Sequence, residues 1–142
     1  MKDITLKIIG KQLARDIEEV QMEFITEGQI YQKDDALYLE YEESEFSGMP
    51  GCKTILEFTE DEIRMCRQGF GTGFDSEIEF REGKRYKGYY ETPYGSIEME
   101  VLTNEIENNL TTDGKGSVKI DYDISLKGLS EGRNKLNIEV MG

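Results

Sequence analysis

Histidine is absent from this 142-residue chain. His-based catalytic triads, His metal ligands and the side chain that ordinarily titrates near neutral pH are therefore missing. Any catalysis would fall to Asp, Glu, Cys, Lys, Tyr or Ser, which weighs against an enzyme. Positive charge is also scarce, with 17 Lys and Arg against 30 Asp and Glu and a formal charge of −13. Such an excess repels phosphate backbones and anionic headgroups, so neither a nucleic-acid nor a membrane partner is expected. There is no run of about 18 apolar residues. The N-terminus Met1-Lys2-Asp3-Ile4-Thr5-Leu6-Lys7 scatters charge where a leader would place its apolar core. The expectation is a soluble, non-secreted, cytoplasmic protein. Cysteine is limited to Cys52 and Cys66, too few for a disulfide scaffold and without the CxxC pair of a metal site. They read as free thiols in a reducing compartment, and no cofactor or metal is expected.

What the chain does contain is alternation. Apolar residues recur at every second position in Ile4, Leu6, Ile8; Val20, Met22, Phe24; Leu37, Leu39, Tyr41; and Leu136, Ile138, Val140, the period of half-buried strands. Only residues 11–19 look helical, and that stretch is short enough to be a connection. With no repeat, low-complexity tract or linker, residues 1–142 read as one domain, long enough to bury roughly two-thirds of its unfolded surface. The turns divide it into about ten strands, eight at the least. The fold class is all-β, an antiparallel up-and-down barrel whose closure removes exposed edges.

Register follows from the turns. A tight turn at Thr59-Glu60-Asp61-Glu62 sets Phe58 opposite Ile63, Leu56 opposite Met65 and Thr54 opposite Arg67, with Glu57 facing Arg64 and Ile55 facing Cys66 on the other side. A three-residue loop at Arg81-Glu82-Gly83, with Gly83 at positive φ, sets Ile78 opposite Tyr86 and Phe74 opposite Tyr90. A similar loop at Thr112-Asp113-Gly114 sets Ile106 opposite Ile120 and Leu102 opposite Ile124. Apolar parity changes between Ile97, Met99, Val101 and Leu102, Ile106, Leu110, which predicts a bulge at Val101-Leu102.

Alternating strand directions place the tight turns near Asp34, Asp61, Gly83 and Gly114 at one end of the barrel. The longer Gly-bearing connections, 47–51, 69–73 and 92–95, share the other end with 11–19 and 127–134. Barrel mouths are a common place for ligands. Two charges continue inward series there: Arg67 after Ile63 and Met65, and Glu43 after Leu37, Leu39 and Tyr41, with Glu45 a second carboxylate nearby. An inward Arg needs a carboxylate and hydrogen bonds to satisfy it. One reading makes it an anchor for an anionic or polar group, helped by Tyr41, Thr54, Glu43, Tyr90, Thr92 and Tyr94. The other makes it a structural pair with Glu43, or an Arg snorkelling from the rim.

Other motifs carry less. Gly69-Phe70-Gly71-Thr72-Gly73 lacks the Lys-Ser/Thr and the helix of a phosphate cradle and reads as a strand connection. Arg64, Arg67, Arg81, Lys84, Arg85 and Lys87 gather six of the 17 basic residues. With Tyr86, Tyr89 and Tyr90 they could dock RNA or an acidic partner, but they read more simply as cross-strand partners of Glu57, Glu77 and Glu79. Glu42 and Glu43 fall on opposite faces, so of the local carboxylates only Glu43 and Glu45 could converge; a solvated acidic rim explains them. Cys52 has no adjacent base and reads as a small rim residue.

Together, Tyr41-Glu42-Glu43, Thr54-Ile55-Leu56, Arg67 before Gly69, Tyr90-Glu91-Thr92-Pro93-Tyr94-Gly95-Ser96, Thr103 and a late strand over 116–126 resemble the YwiB-like family of small bacterial proteins of unknown function. The resemblance spans nearly the whole chain, and Thr-Pro-Tyr-Gly with its upstream Tyr is its most specific element. It implies a calycin-like barrel, related in shape to lipocalins and fatty-acid-binding proteins, in the bacterial cytoplasm. It implies no chemistry, and the loop Gly48-Met49-Pro50-Gly51-Cys52 has no counterpart from which a role for Cys52 could be carried over. Two functions follow as expectations: a non-enzymatic barrel holding a small, partly apolar ligand at its open end, or a filled barrel serving as an interaction module, including as a homodimer.

Overall fold

The computed structural model describes residues 2–13, 20–42, 52–60, 62–69, 75–92, 95–111, 113–127 and 130–141. Ten strands account for most of them: β1 (Lys2–Leu13), β2 (Val20–Lys33), β3 (Ala36–Glu42), β4 (Cys52–Phe58), β5 (Ile63–Gly69), β6 (Asp75–Phe80), β7 (Arg85–Thr92), β8 (Gly95–Asn108), β9 (Gly116–Leu126) and β10 (Ser130–Val140). Each pairs antiparallel with its sequence neighbours, and β1 pairs with β10, which closes the barrel. Closure pairs each described strand on both sides, with the shortest ladder, two pairs, between β6 and β7, and so removes most of the free edge that otherwise invites aggregation. Residues 11–13, expected to begin a helical connection, instead extend β1, where Lys11 pairs with Lys135 and Gln21; ladder pairing on both sides overrides a weak local pattern. The rest of that stretch, 14–19, lies outside the described residues.

Alternation builds the core. Ile4, Leu6 and Ile8 of β1, Leu39 of β3, Leu56 of β4, Met65 of β5, Phe80 of β6, Val101 of β8 and Ile138 of β10 all point inward and are buried. The hairpin from β4 to β5 has the register read from sequence at all five positions, Thr54↔Arg67 among them. Its turn closes with Thr59 N–H donating to the Glu62 carbonyl over 3.0 Å. Between β2 and β3, Asp34 and Asp35 both take positive φ, 50° and 65°, the conformation that matches a two-residue turn to strand twist.

Two registers differ from expectation. The bulge in β8 lies between Thr103 and Glu105, not at Val101-Leu102, so Ile124 faces Val101 while Ile106 still faces Ile120. Between β6 and β7 the offset is two residues: Tyr90 faces Ser76, and Tyr86 faces Val101 across β7 and β8 instead of pairing with Ile78. Phe74 lies outside the described residues. Both differences have one physical source. Gly83 does adopt positive φ, 74°, but its N–H donates to the Thr103 carbonyl over 2.8 Å, and Thr103 N–H donates to Lys84. The β6–β7 turn is thus stitched onto β8 at its bulge, and Glu82 Oε1 accepts the Ile106 N–H over 2.9 Å.

Candidate functional site

Adjacent registers link residues near the loop-bearing end into one row. Tyr41 faces Thr54, Thr54 faces Arg67, Arg67 faces Ser76, Ser76 faces Tyr90 and Tyr90 faces Ile97. Four of the seven residues singled out from sequence, Tyr41, Thr54, Arg67 and Tyr90, therefore fall in this row on β3, β4, β5 and β7, with Ser76 of β6 between the last two. Thr92 stands two positions further along β7, where it pairs with Gly95. Glu43 and Tyr94 lie outside the described residues, as do Glu45 and the connections 43–51, 70–74 and 93–94. Thr54 and Tyr41 are buried and Arg67 is half-buried. All three are engaged in interactions, as an inward guanidinium requires.

Other strands contribute an apolar lining that is less completely covered. Phe24 of β2, Ile97 of β8, Tyr122, Ile124 and Leu126 of β9 and Leu136 of β10 are inward by register yet only half-buried. Met22, one step nearer the mouth than Phe24, is 38% exposed. Tyr122 packs on Phe80 with ring centroids 4.8 Å apart and accepts a long hydrogen bond from Asn134 at 3.4 Å. The Thr103 hydroxyl is buried and has no hydrogen-bond partner among the described residues. Such an arrangement can hold an apolar body while the Arg67 row orients a polar or anionic end.

A feature that sequence reasoning missed lies next to that row. The ladder between β6 and β7 consists of Asp75↔Glu91 and Ser76↔Tyr90. Beyond Ser76, Glu77–Phe80 run alongside β7 without ladder pairs. Gly88 offers no side chain there, and the Tyr86 ring folds over it: a Cβ built on Gly88 would sit 2.8 Å from the Tyr86 hydroxyl oxygen. The ring is half-buried against the core. Burial, then the nearby Glu77 and Glu79 carboxylates, raise the Tyr86 phenol above its ordinary range. A glycine in an aromatic strand, Tyr86-Lys87-Gly88-Tyr89-Tyr90, was the available signal.

The outer face follows ordinary cross-strand electrostatics. Arg64 lies 3.4 Å from Glu77 and 3.0 Å from Glu79, Arg81 reaches Glu62 and Arg85 pairs with Glu100. Tyr86 packs against the core opposite Val101 while Tyr89 is 59% exposed, so these residues read as the cross-strand partners expected from sequence more than as one docking stripe. The Cys66 thiol is half-buried on the outer face, and burial followed by the Glu77 charge pushes its pKa up, the opposite of a reactive thiolate. Two grooves run along outward-facing residues. One, about 400 Å³, sets Lys11, Lys119 and Lys135 beside Glu105, Glu107 and Asp121. The other, about 740 Å³, includes Asp3, Glu27, Glu40, Glu42 and Lys53. Among the described residues no group of three or more His, Cys, Asp or Glu could hold a metal ion, and no helix is long and apolar enough to cross a membrane.

Comparison with solved structures gives a match to the crystal structure of the ywiB protein from Bacillus subtilis, with a TM-score of 0.73 and 22% identity over 99% of this chain and 92% of that one. At that identity the likeness concerns the fold. No curated protein matches the chain. The model for a domain of unknown function, DUF1934, matches residues 6–138. That span takes in the barrel from β1 to β10 and the whole Arg67 row, and the chain belongs to the DUF1934 family.

Proposed function

We propose that this barrel is a non-catalytic binding protein for a small, partly apolar molecule, held at the loop-bearing end with a polar or anionic group directed to Arg67. The observation that carries the reading is the row Tyr41, Thr54, Arg67, Ser76, Tyr90 on five adjacent strands. A half-buried Arg67 in that row coincides with an incompletely covered apolar lining from Phe24, Tyr122, Ile124 and Leu126. A guanidinium carries five N–H donors in a fixed fork, so it can keep a structural partner and still meet a carboxylate or similar group.

Native mass spectrometry of protein purified gently from its own kind of cell, read before and after denaturation, tests this. The expected result is a discrete extra mass lost on denaturation and not retained by Arg67→Met. Retention unchanged in Arg67→Met, with only a lower melting temperature, would overturn the anchor and leave Arg67 a structural residue. A second reading, an interaction module that could be a homodimer, is favoured by the packing below the row, where Leu39, Leu56, Met65 and Phe80 fill the interior at 2% exposure or less. A bare dimer in the same spectrum would favour it.

A further inference from the structure

The structure points to one place where the barrel wall can part without breaking its ladder. Separating well-paired strands sacrifices backbone hydrogen bonds, each worth about 1 kcal/mol net, whereas β6 and β7 have no ladder pairs to lose beyond Ser76↔Tyr90. That last rung belongs to the Arg67 row, so the unpaired seam starts directly beside the proposed polar anchor. Behind it lie the buried apolar side chains Ile78, Phe80 and Met65. What covers its upper part is the Tyr86 ring lying on Gly88, and a ring can leave by side-chain rotation alone, a far faster motion than strand separation.

We propose that the β6–β7 seam receives the apolar body of a slim amphiphile whose anionic head is held at Arg67, with Tyr86 as the gate that swings off Gly88 to admit it. The proposal rests on the binding reading above and adds the shape and polarity of the guest. A narrow, chain-like body fits between two strands where a bulky one does not. The carboxylates of Glu77 and Glu79, outward neighbours on the lip of the seam, repel an anionic head there and favour its placement at Arg67.

The gate can be tested without any guest. In a Cys52→Ser, Cys66→Ser background, Ile78→Cys places a thiol behind the seam, and Ile138→Cys places a buried one behind the paired wall of β10. Gly88→Ala would drive its new Cβ against the Tyr86 hydroxyl and displace the ring. The expected result is that Gly88→Ala raises the bimane-labelling rate of Ile78→Cys at least tenfold and leaves that of Ile138→Cys unchanged. Equal acceleration of both, or of neither, overturns the gate. Met65→Cys, facing Ile78 across β5 and β6, replaces Ile78→Cys if that variant does not fold.

The guest is tested with dodecanoic acid, an unbranched chain with an acidic head, by isothermal titration calorimetry. Binding weakened by Arg67→Met, together with slower labelling of Ile78→Cys, supports the slot. Binding that depends on Arg67 without protecting Ile78→Cys overturns the slot and leaves the mouth reading intact. No binding, or binding indifferent to Arg67→Met, overturns the mouth reading and the guest with it, while the labelling ratio still decides the gate.

Discussion

Gly28 marks how little space a closed barrel leaves at a crowded position. A Cβ there would lie 2.5 Å from the Glu40 carbonyl oxygen and 3.0 Å from Leu6 Cδ1, and neither the β3 backbone nor a core leucine can give way freely. Gly28→Ala is expected to lower stability by about 1–3 kcal/mol in urea titration, as overpacking generally does. Asp121 illustrates the electrostatics. Its carboxylate accepts two bonds from Arg133, at 2.9 and 2.6 Å, and one from Asn104, and these hold its pKa below the usual 3.8. A carboxylate depressed in the folded state contributes stability above its unfolded pKa and loses it as pH falls through the folded value. Asp121→Asn should therefore melt at a lower temperature than the parent at pH 7, with the difference shrinking from about pH 4 downward. Cys66, whose thiol is pushed upward, should react with iodoacetamide more slowly than a free cysteine at pH 8 and catch up only at higher pH.

The hairpin of β4 and β5 was legible because a short turn fixes the offset and each face has one character, apolar Phe58, Leu56, Ile63 and Met65 against Glu57 and Arg64. From it came the alignment of Thr54 with Arg67, and Tyr41 followed by alternation in β3, so this part of the row could be read in advance. The seam could not. Local pattern at Arg81-Glu82-Gly83 is that of a hairpin loop, yet the Gly83 N–H donates to the Thr103 carbonyl, 20 positions away, and the neighbouring Lys84 carbonyl accepts from Thr103 N–H. Parity in β8 likewise located a bulge but not its position, because Leu102 is apolar on the outward face, and an apolar residue outside looks like one inside. Glu82 supplies the missing acceptor for Ile106 N–H at that irregularity. Glu82→Ala is expected to lower stability by about 1 kcal/mol in thermal melts, with faster amide exchange confined to Ile106 and its neighbours. No change at Ile106 would mean that water replaces the carboxylate at no net cost.

Charge acts on all parts of the barrel together. An excess of 13 negative charges favours expansion of the compact chain, and raising ionic strength from about 0.01 M to 0.15 M shortens the screening length from roughly 30 to 8 Å. The melting temperature should therefore rise over that range in scanning calorimetry. A fall would show that cross-strand pairs such as Arg64 with Glu79 outweigh the general repulsion. The joint between β1 and β10 has a different kind of effect. Leu6 pairs with Val140 and Ile8 with Ile138, contacts that span about 130 residues of chain. A ribosome making this protein releases β1 first, and until β10 has emerged β1 and β9 each present a long unpaired edge to every neighbouring chain. The step that seals the molecule is thus also its last and slowest to be reached during synthesis, and the interval before it is when self-association competes most directly with folding.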